Sequence, residues 1–179
     1  MLLPPPMPPL KQKATFEQQV QVMRLVWFAL TFSTFMNVFV AYVQTVGQTP
    51  VDFIGMPTMA ISLTLAAVAF AVGSVIYRAN ALSERSLQYL ARGYNPVGAP
   101  PQEPDKGKEA VSKRWQGVTI VSLMLHQVIS ALGLVLSLLM MDWTFILPFA
   151  AATIILNMLV YPNFPAIARK AGLPMSPIS

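Results

Sequence analysis

Four stretches of this chain run for about twenty residues each without a single Asp, Glu, Lys or Arg: Leu25 to Val46, Met56 to Tyr77, Gln116 to Met141 and Trp143 to Tyr161. A bilayer core about 30 Å thick is crossed by about 20 apolar residues in a helix. The runs lack the two-residue alternation of a membrane barrel strand. They are apolar nearly all round, so they lack the polar face that a soluble bundle needs. The expected fold class is therefore an all-α membrane protein, a four-transmembrane-helix bundle over residues 23–161.

Charge placement gives a direction. Lys11, Lys13 and Arg24 precede the first run. Seven bases (Arg78, Arg85, Arg92, Lys106, Lys108, Lys113, Arg114) lie between the second and third, and Arg169 and Lys170 follow the fourth. These twelve are every Lys and Arg in the chain. The other two connections carry Asp52 and Asp142 and no base. By the positive-inside rule, both termini and the loop 78–115 face the cytoplasm. The net charge of +5 is then a matter of topology and no sign of nucleic-acid binding. Trp27, Tyr77, Trp115 and Tyr161 fall at the expected inner interface, and Tyr42 and Trp143 near the outer one, where amphipathic rings favour the headgroup level. The inner membrane of a bacterium fits the short outer turns. Because the N-terminus opens MLLPPPMPPLKQK, without a basic region followed by an apolar core, the first span is expected to be retained rather than cleaved.

Outside the spans, residues 1–22 read as a disordered Pro-rich tail, either a docking segment for a partner or simply an untethered terminus. Residues 93–109 read as a Pro/Gly/charge linker. ANALSERSLQYLAR, with Leu82, Ser86 and Leu90 at four-residue spacing, extends the second helix to about Arg92. The tail 162–179 has room for one short interfacial helix near 166–171. None of these segments can bury a core of its own. The endings AAVAFAVGSVIY and AAATIILNMLVY, with Arg24/Asn37 and Arg114/Gln127 equally spaced, suggest two duplicated helical hairpins.

Small and polar residues inside the spans mark the packing faces, because lipid gives helices no hydrophobic reason to associate. The third run carries Ser122, His126, Ser130, Gly133 and Ser137 on one stripe. In the first run the stripe is Thr34, Asn37, Ala41, Gln44 and Gln48; in the second, Ser62, Ala66, Ala69 and Gly73; in the fourth, Ala150, Thr153 and Asn157. Pro148 is expected to kink the fourth helix.

His126 is the lone ionisable side chain near the middle of a span and the natural functional candidate. It could bond to a neighbouring helix, ligate a haem or line a quinone site, or relay a proton. A bis-His haem needs a second histidine, which this chain lacks, and a relay normally has carboxylate partners, which the spans lack. The interhelical bond is thus the first expectation for His126, as it is for Asn37 and Gln127. With no Cys, and with no Gly-rich phosphate loop, Ser/His/Asp set or carboxylate pair, no catalytic residue, resident metal or cofactor is expected.

The run HQVISALGLVLSLL, His126 to Leu139, resembles the carboxylate-bearing helix of rotary-ATPase proteolipid (c) subunits. Gln127 stands at the position of the acid and Gly133 at that of the small residue. The resemblance covers 14 of 179 residues. The ion-binding carboxylate and the glycine-repeat helix are absent, and the match falls on the first helix of its hairpin, so ion translocation is not carried over. The whole chain resembles small uncharacterised four-helix bacterial inner-membrane proteins, a likeness that implies no activity. A non-catalytic subunit or scaffold is the leading functional expectation, with membrane lipid and a homo-oligomer or larger membrane complex as partners. An oligomeric transporter, channel or ion-conducting subunit and a haem or quinone anchor are the alternatives.

Overall fold

The computed structural model describes residues 16–50, 57–92 and 104–173. Within them the chain is helical and contains no strand. The helices are α1 (Phe16–Thr45), α2 (Pro57–Ala81), α3 (Glu84–Arg92), α4 (Pro104–Met140), α5 (Ile146–Leu159) and α6 (Phe164–Lys170), with a 3₁₀ turn, Trp143–Phe145, leading into α5. Three of them, α1, α2 and α4, are long and apolar enough to cross a membrane. The pair made by the turn plus α5 and by α6 is a further candidate, bent by 55° between its two parts.

Helix α4 is the hub. At 37 residues it is about 55 Å long at 1.5 Å per residue, far more than a bilayer core requires. The helices α1, α2 and α5 pack around its apolar part, while α3 and α6 pack on its basic N-terminal part. The apolar window of α4 is 39% buried, against 17% for α1 and 11% for α2. Leu25, Phe28, Phe32, Phe35 and Phe39 of α1 are all exposed. In water such a row would drive association; in hydrocarbon it is solvated.

Two apolar clusters hold the elements together. At the basic end, Trp115 and Val111 of α4 meet Leu87 of α3, Phe164 and Ile167 of α6 and Met23 of α1. Trp115 and Phe164 meet edge-on at 5.3 Å. Deeper in the bundle Ala67, Ile129, Leu136 and Phe149 join α2, α4 and α5. Two glycines let backbones approach. A Cβ at Gly133 would lie 2.5 Å from Phe149 Cβ, and one at Gly107 would run into the carbonyl oxygen of Ala91. Aromatic pairs mark both ends of the bundle: Trp27 with Tyr161 at 5.1 Å, and Tyr42 with Trp143 at 5.7 Å, each edge-on.

Several boundaries differ from expectation. Residues 16–22 belong to α1 rather than to a tail, and 1–15 lie outside the described residues. The second helix does not run on to Arg92. It stops at Ala81, because Ser83 starts a new helix by accepting the Ser86 N–H on its Oγ at 3.3 Å. Of the expected linker, 104–109 form the first turns of α4, and 93–103 lie outside the described residues. Pro148 makes no kink: it sits in the first turn of α5, where its missing N–H has no helical partner to lose. The bend comes instead at the break before α6, which Asn163 caps by accepting the Ala166 N–H at 3.4 Å. The two expected hairpins are also built differently. Helices α4 and α5 pack on each other, whereas α1 and α2 each pack chiefly on α4.

Candidate functional site

Helix periodicity puts Ser122, His126, Ser130, Gly133 and Ser137 on one buried stripe of α4. Ala150, Thr153 and Asn157 form the buried stripe of α5. Where these stripes meet, His126 is enclosed at 1% exposure. Its Nε2 lies 2.9 Å from Ser74 Oγ on α2, and its Nδ1 lies 2.9 Å from Asn157 Oδ1 on α5. Asn157 Nδ2 donates to Thr31 Oγ1 on α1 at 3.2 Å. Trp27 Nε1 donates to the Asn157 carbonyl at 2.7 Å, and Thr153 Oγ1 donates to the His126 carbonyl at 3.1 Å. One chain of side-chain bonds therefore ties α1, α5, α4 and α2 together through His126.

The bonds at Asn157 place a hydrogen on Nδ1. Nδ1–H donates to the Asn157 amide oxygen, whose amide nitrogen is already donating to Thr31. The single Ser74 hydroxyl hydrogen is within reach of both Nε2 and the Ala71 carbonyl, each 2.9 Å from Oγ, so Nε2 either shares that hydrogen or donates its own to Oγ. Both ring nitrogens are thus engaged by protein. A haem iron or quinone at His126 would first have to displace Ser74 or Asn157.

A second ladder joins α1 to α4. Asn37 Nδ2 donates to Ser130 Oγ at 3.0 Å. Gln127 Oε1 accepts from Ser33 Oγ at 2.8 Å, and Gln127 Nε2 donates to the Leu30 carbonyl at 2.6 Å. Nearer the basic end, Gln19 Oε1 accepts from Ser112 and Gln116, both at 3.1 Å. Gln127 is thus half-buried and engaged by α1.

Other expected seam residues lie elsewhere. Ser62 and Gly73 are exposed, and Ser62 Oγ donates to the Thr58 carbonyl of its own helix. The face of α2 that packs carries Ala67, Ala71 and Ser74. Gln44 of α1 is exposed, and Thr45 takes the buried place beside it. The sequence reading missed Ser74 and Thr31, the two hydroxyls that complete the His126 chain. Ser74 stands one residue past Gly73, so a one-residue rotation of the assigned face hides it. Three further α4 hydroxyls, Thr119, Ser122 and Ser137, are buried without a hydrogen-bond partner. Among the described residues no group of three or more His, Cys, Asp or Glu could hold a metal ion. The chain matches no protein-family model, no curated protein and no solved structure.

Proposed function

We propose that this chain is a four-span integral protein of a bacterial inner membrane and serves as a non-catalytic subunit or scaffold of a membrane complex. Helices α1, α2 and α4 are three spans, and the 3₁₀ turn with α5 is the fourth. At 17 residues from Trp143 to Leu159, that last segment is at the short end of what crosses a bilayer. The observation that carries the reading is the segregation of charge along the bundle. Arg24, Arg78, Arg114 and Arg169 stand on segments meeting at the end closed by Trp115 and Phe164. Asp142 stands at the other end beside the Tyr42–Trp143 pair. With positive charge inside, the end bearing α3 and α6 is cytoplasmic. The scaffold role is favoured because His126, Asn37, Gln127 and Asn157 are all spent on helix–helix bonds.

The chain has no cysteine, so single introduced thiols can be read against a silent background. Arg85→Cys and Asp142→Cys should be labelled by an impermeant maleimide from opposite sides of sealed inner-membrane vesicles. Labelling of both from one side would end the topology. Purification in mild detergent should then yield a stable larger assembly. A monomer with no associated chain would end the scaffold role. The buried unpartnered hydroxyls of Thr119, Ser122 and Ser137 favour a second reading, an oligomeric transporter with a polar path along α4. Ion flux in proteoliposomes that is lost in His126→Leu would establish it.

A further inference from the structure

Two cavities lie between α2 and α5, both floored by α4. The first, about 500 Å³, is at the basic end, and its lining includes Ser74, Arg78, Glu84, His126, Leu159 and Lys170. The second, about 350 Å³, is almost wholly apolar, with Ala67, Ala71, Ile129, Phe149 and Ala152 in its wall. They adjoin along the bundle: Ala71 and Ser74 are neighbouring turns of α2, as are Ile129 and His126 on α4 and Ala152 and Leu156 on α5. Lying end to end they make a groove in two parts that share no lining residue, each of a size usual for small-molecule sites. Val75 and Leu159, both exposed, stand at its side, so the groove opens laterally rather than along the bundle axis.

The chemistry of the groove is uneven along its length. At the basic end Nη1 of Arg78 is buried and has no hydrogen-bond partner. A guanidinium carries five N–H donors in a rigid fork, and a buried donor left unpaired is costly. Lys170 lines the same cavity. The carboxylate of Glu84 is also in the lining, and its Oε1 accepts from Gln88 Nε2 at 2.9 Å. Two cations against one carboxylate leave the mouth positive. Below Ser74 the α2 wall is chiefly alanine (Ala60, Ala67, Ala71), whose small side chains leave space against Ile129 and Phe149. A bare inorganic anion would satisfy Arg78 and leave the apolar length empty. A neutral lipid would do the reverse.

We propose that this groove binds one anionic amphiphile, its phosphate or carboxylate held by Arg78 and Lys170 and its acyl chain lying along Ala71 and Ala67. Arg78 and Ala67 are 11 residues apart on α2, about 16 Å, close to the depth of one leaflet. The proposal rests on the membrane placement above, which the vesicle labelling tests separately.

The full chain, delipidated in dodecyl maltoside, is titrated by native mass spectrometry with dioleoylphosphatidylglycerol, oleate, dioleoylphosphatidylcholine and inorganic phosphate. One phosphatidylglycerol or oleate is expected per chain, and the tighter of the two identifies the headgroup. Arg78→Gln should weaken both by about ten-fold, as expected for loss of a charge-assisted contact. Ala71→Phe, which leaves the cation in place, should weaken them by filling the acyl end. Arg85→Gln, outside the groove, should bind as wild type does. Wild-type affinity in both Arg78→Gln and Ala71→Phe would overturn the proposal. So would phosphatidylcholine binding as tightly as phosphatidylglycerol, or inorganic phosphate binding as tightly as either amphiphile.

Discussion

His126 and Asn157 share one of three consecutive side-chain bonds, Ser74–His126, His126–Asn157 and Asn157–Thr31, and that sharing has a measurable consequence. An interhelical hydrogen bond in a membrane bundle contributes about 0.6 kcal/mol on average. His126→Leu removes the bonds to Ser74 and Asn157, about 1.2 kcal/mol at that average. Asn157→Leu removes those to His126 and Thr31, again about 1.2 kcal/mol. The double variant removes three bonds and not four, about 1.8 kcal/mol, so it should fall short of additivity by about 0.6 kcal/mol. Leu is close in volume to His and branches as Asn does, so neither replacement opens a cavity. Reversible unfolding in dodecyl maltoside–SDS mixed micelles, followed by helical circular dichroism, measures all four corners of the cycle. Trp27 supplies a local fluorescence signal, because its indole N–H donates to the Asn157 carbonyl. Strictly additive losses would refute the continuous chain, and a His126→Leu variant more stable than wild type would show that His126 is not retained for stability.

Gly133→Ala should destabilise the same micellar protein by about 1–3 kcal/mol, because the new Cβ would overlap the Phe149 side chain and force α4 from α5; an unchanged midpoint would contradict the close approach. Ser62→Leu should shift stability by less than about 0.5 kcal/mol and Gly73→Leu should cost nothing, since both positions face outward on α2 and Leu is a better helix former than Gly. A large loss in the bundle from either, read by the same unfolding curves, would restore the face of α2 that the spacing first suggested.

How far the fold was legible depended on whether a helix had one distinctive face or several. On α4, Ser122, His126, Ser130, Gly133 and Ser137 stand against Leu, Val and Met, and the stripe read from spacing is the one that packs. On α2 alanines occur all round (Ala60, Ala66, Ala67, Ala69, Ala71). Two small-residue stripes a rotation apart were available, and Ser62 with Gly73 marked the wrong one. In water the outward stripe would have been polar and the choice obvious; lipid removes that signal. The break between α2 and α3 was written in Ser83 followed by Glu84, a capping residue and a first-turn acid, but helix-competent residues on both sides obscured it. At the candidate site His126, Asn37, Gln127 and Asn157 stood out because polar groups are rare in hydrocarbon. Ser74 and Thr31 did not, since a hydroxyl can bond to its own helix and so carries no positional information. Arg78 entered only as one charge in a topology count. Its burial against a groove depends on how α2 and α5 splay from α4, which no local pattern encodes.

In the membrane placement proposed above, the two aromatic pairs would lie at the two headgroup levels. Trp27 and Tyr42 are fifteen residues apart on α1, about 22 Å along the helix, while a typical hydrocarbon core is about 30 Å. Rings anchored at both headgroup levels would pull the surrounding leaflets together, at a cost of a fraction of a kcal/mol per Å. In that placement, short-chain or fluid lipids would relieve the compression, and the bundle would favour thinner membrane.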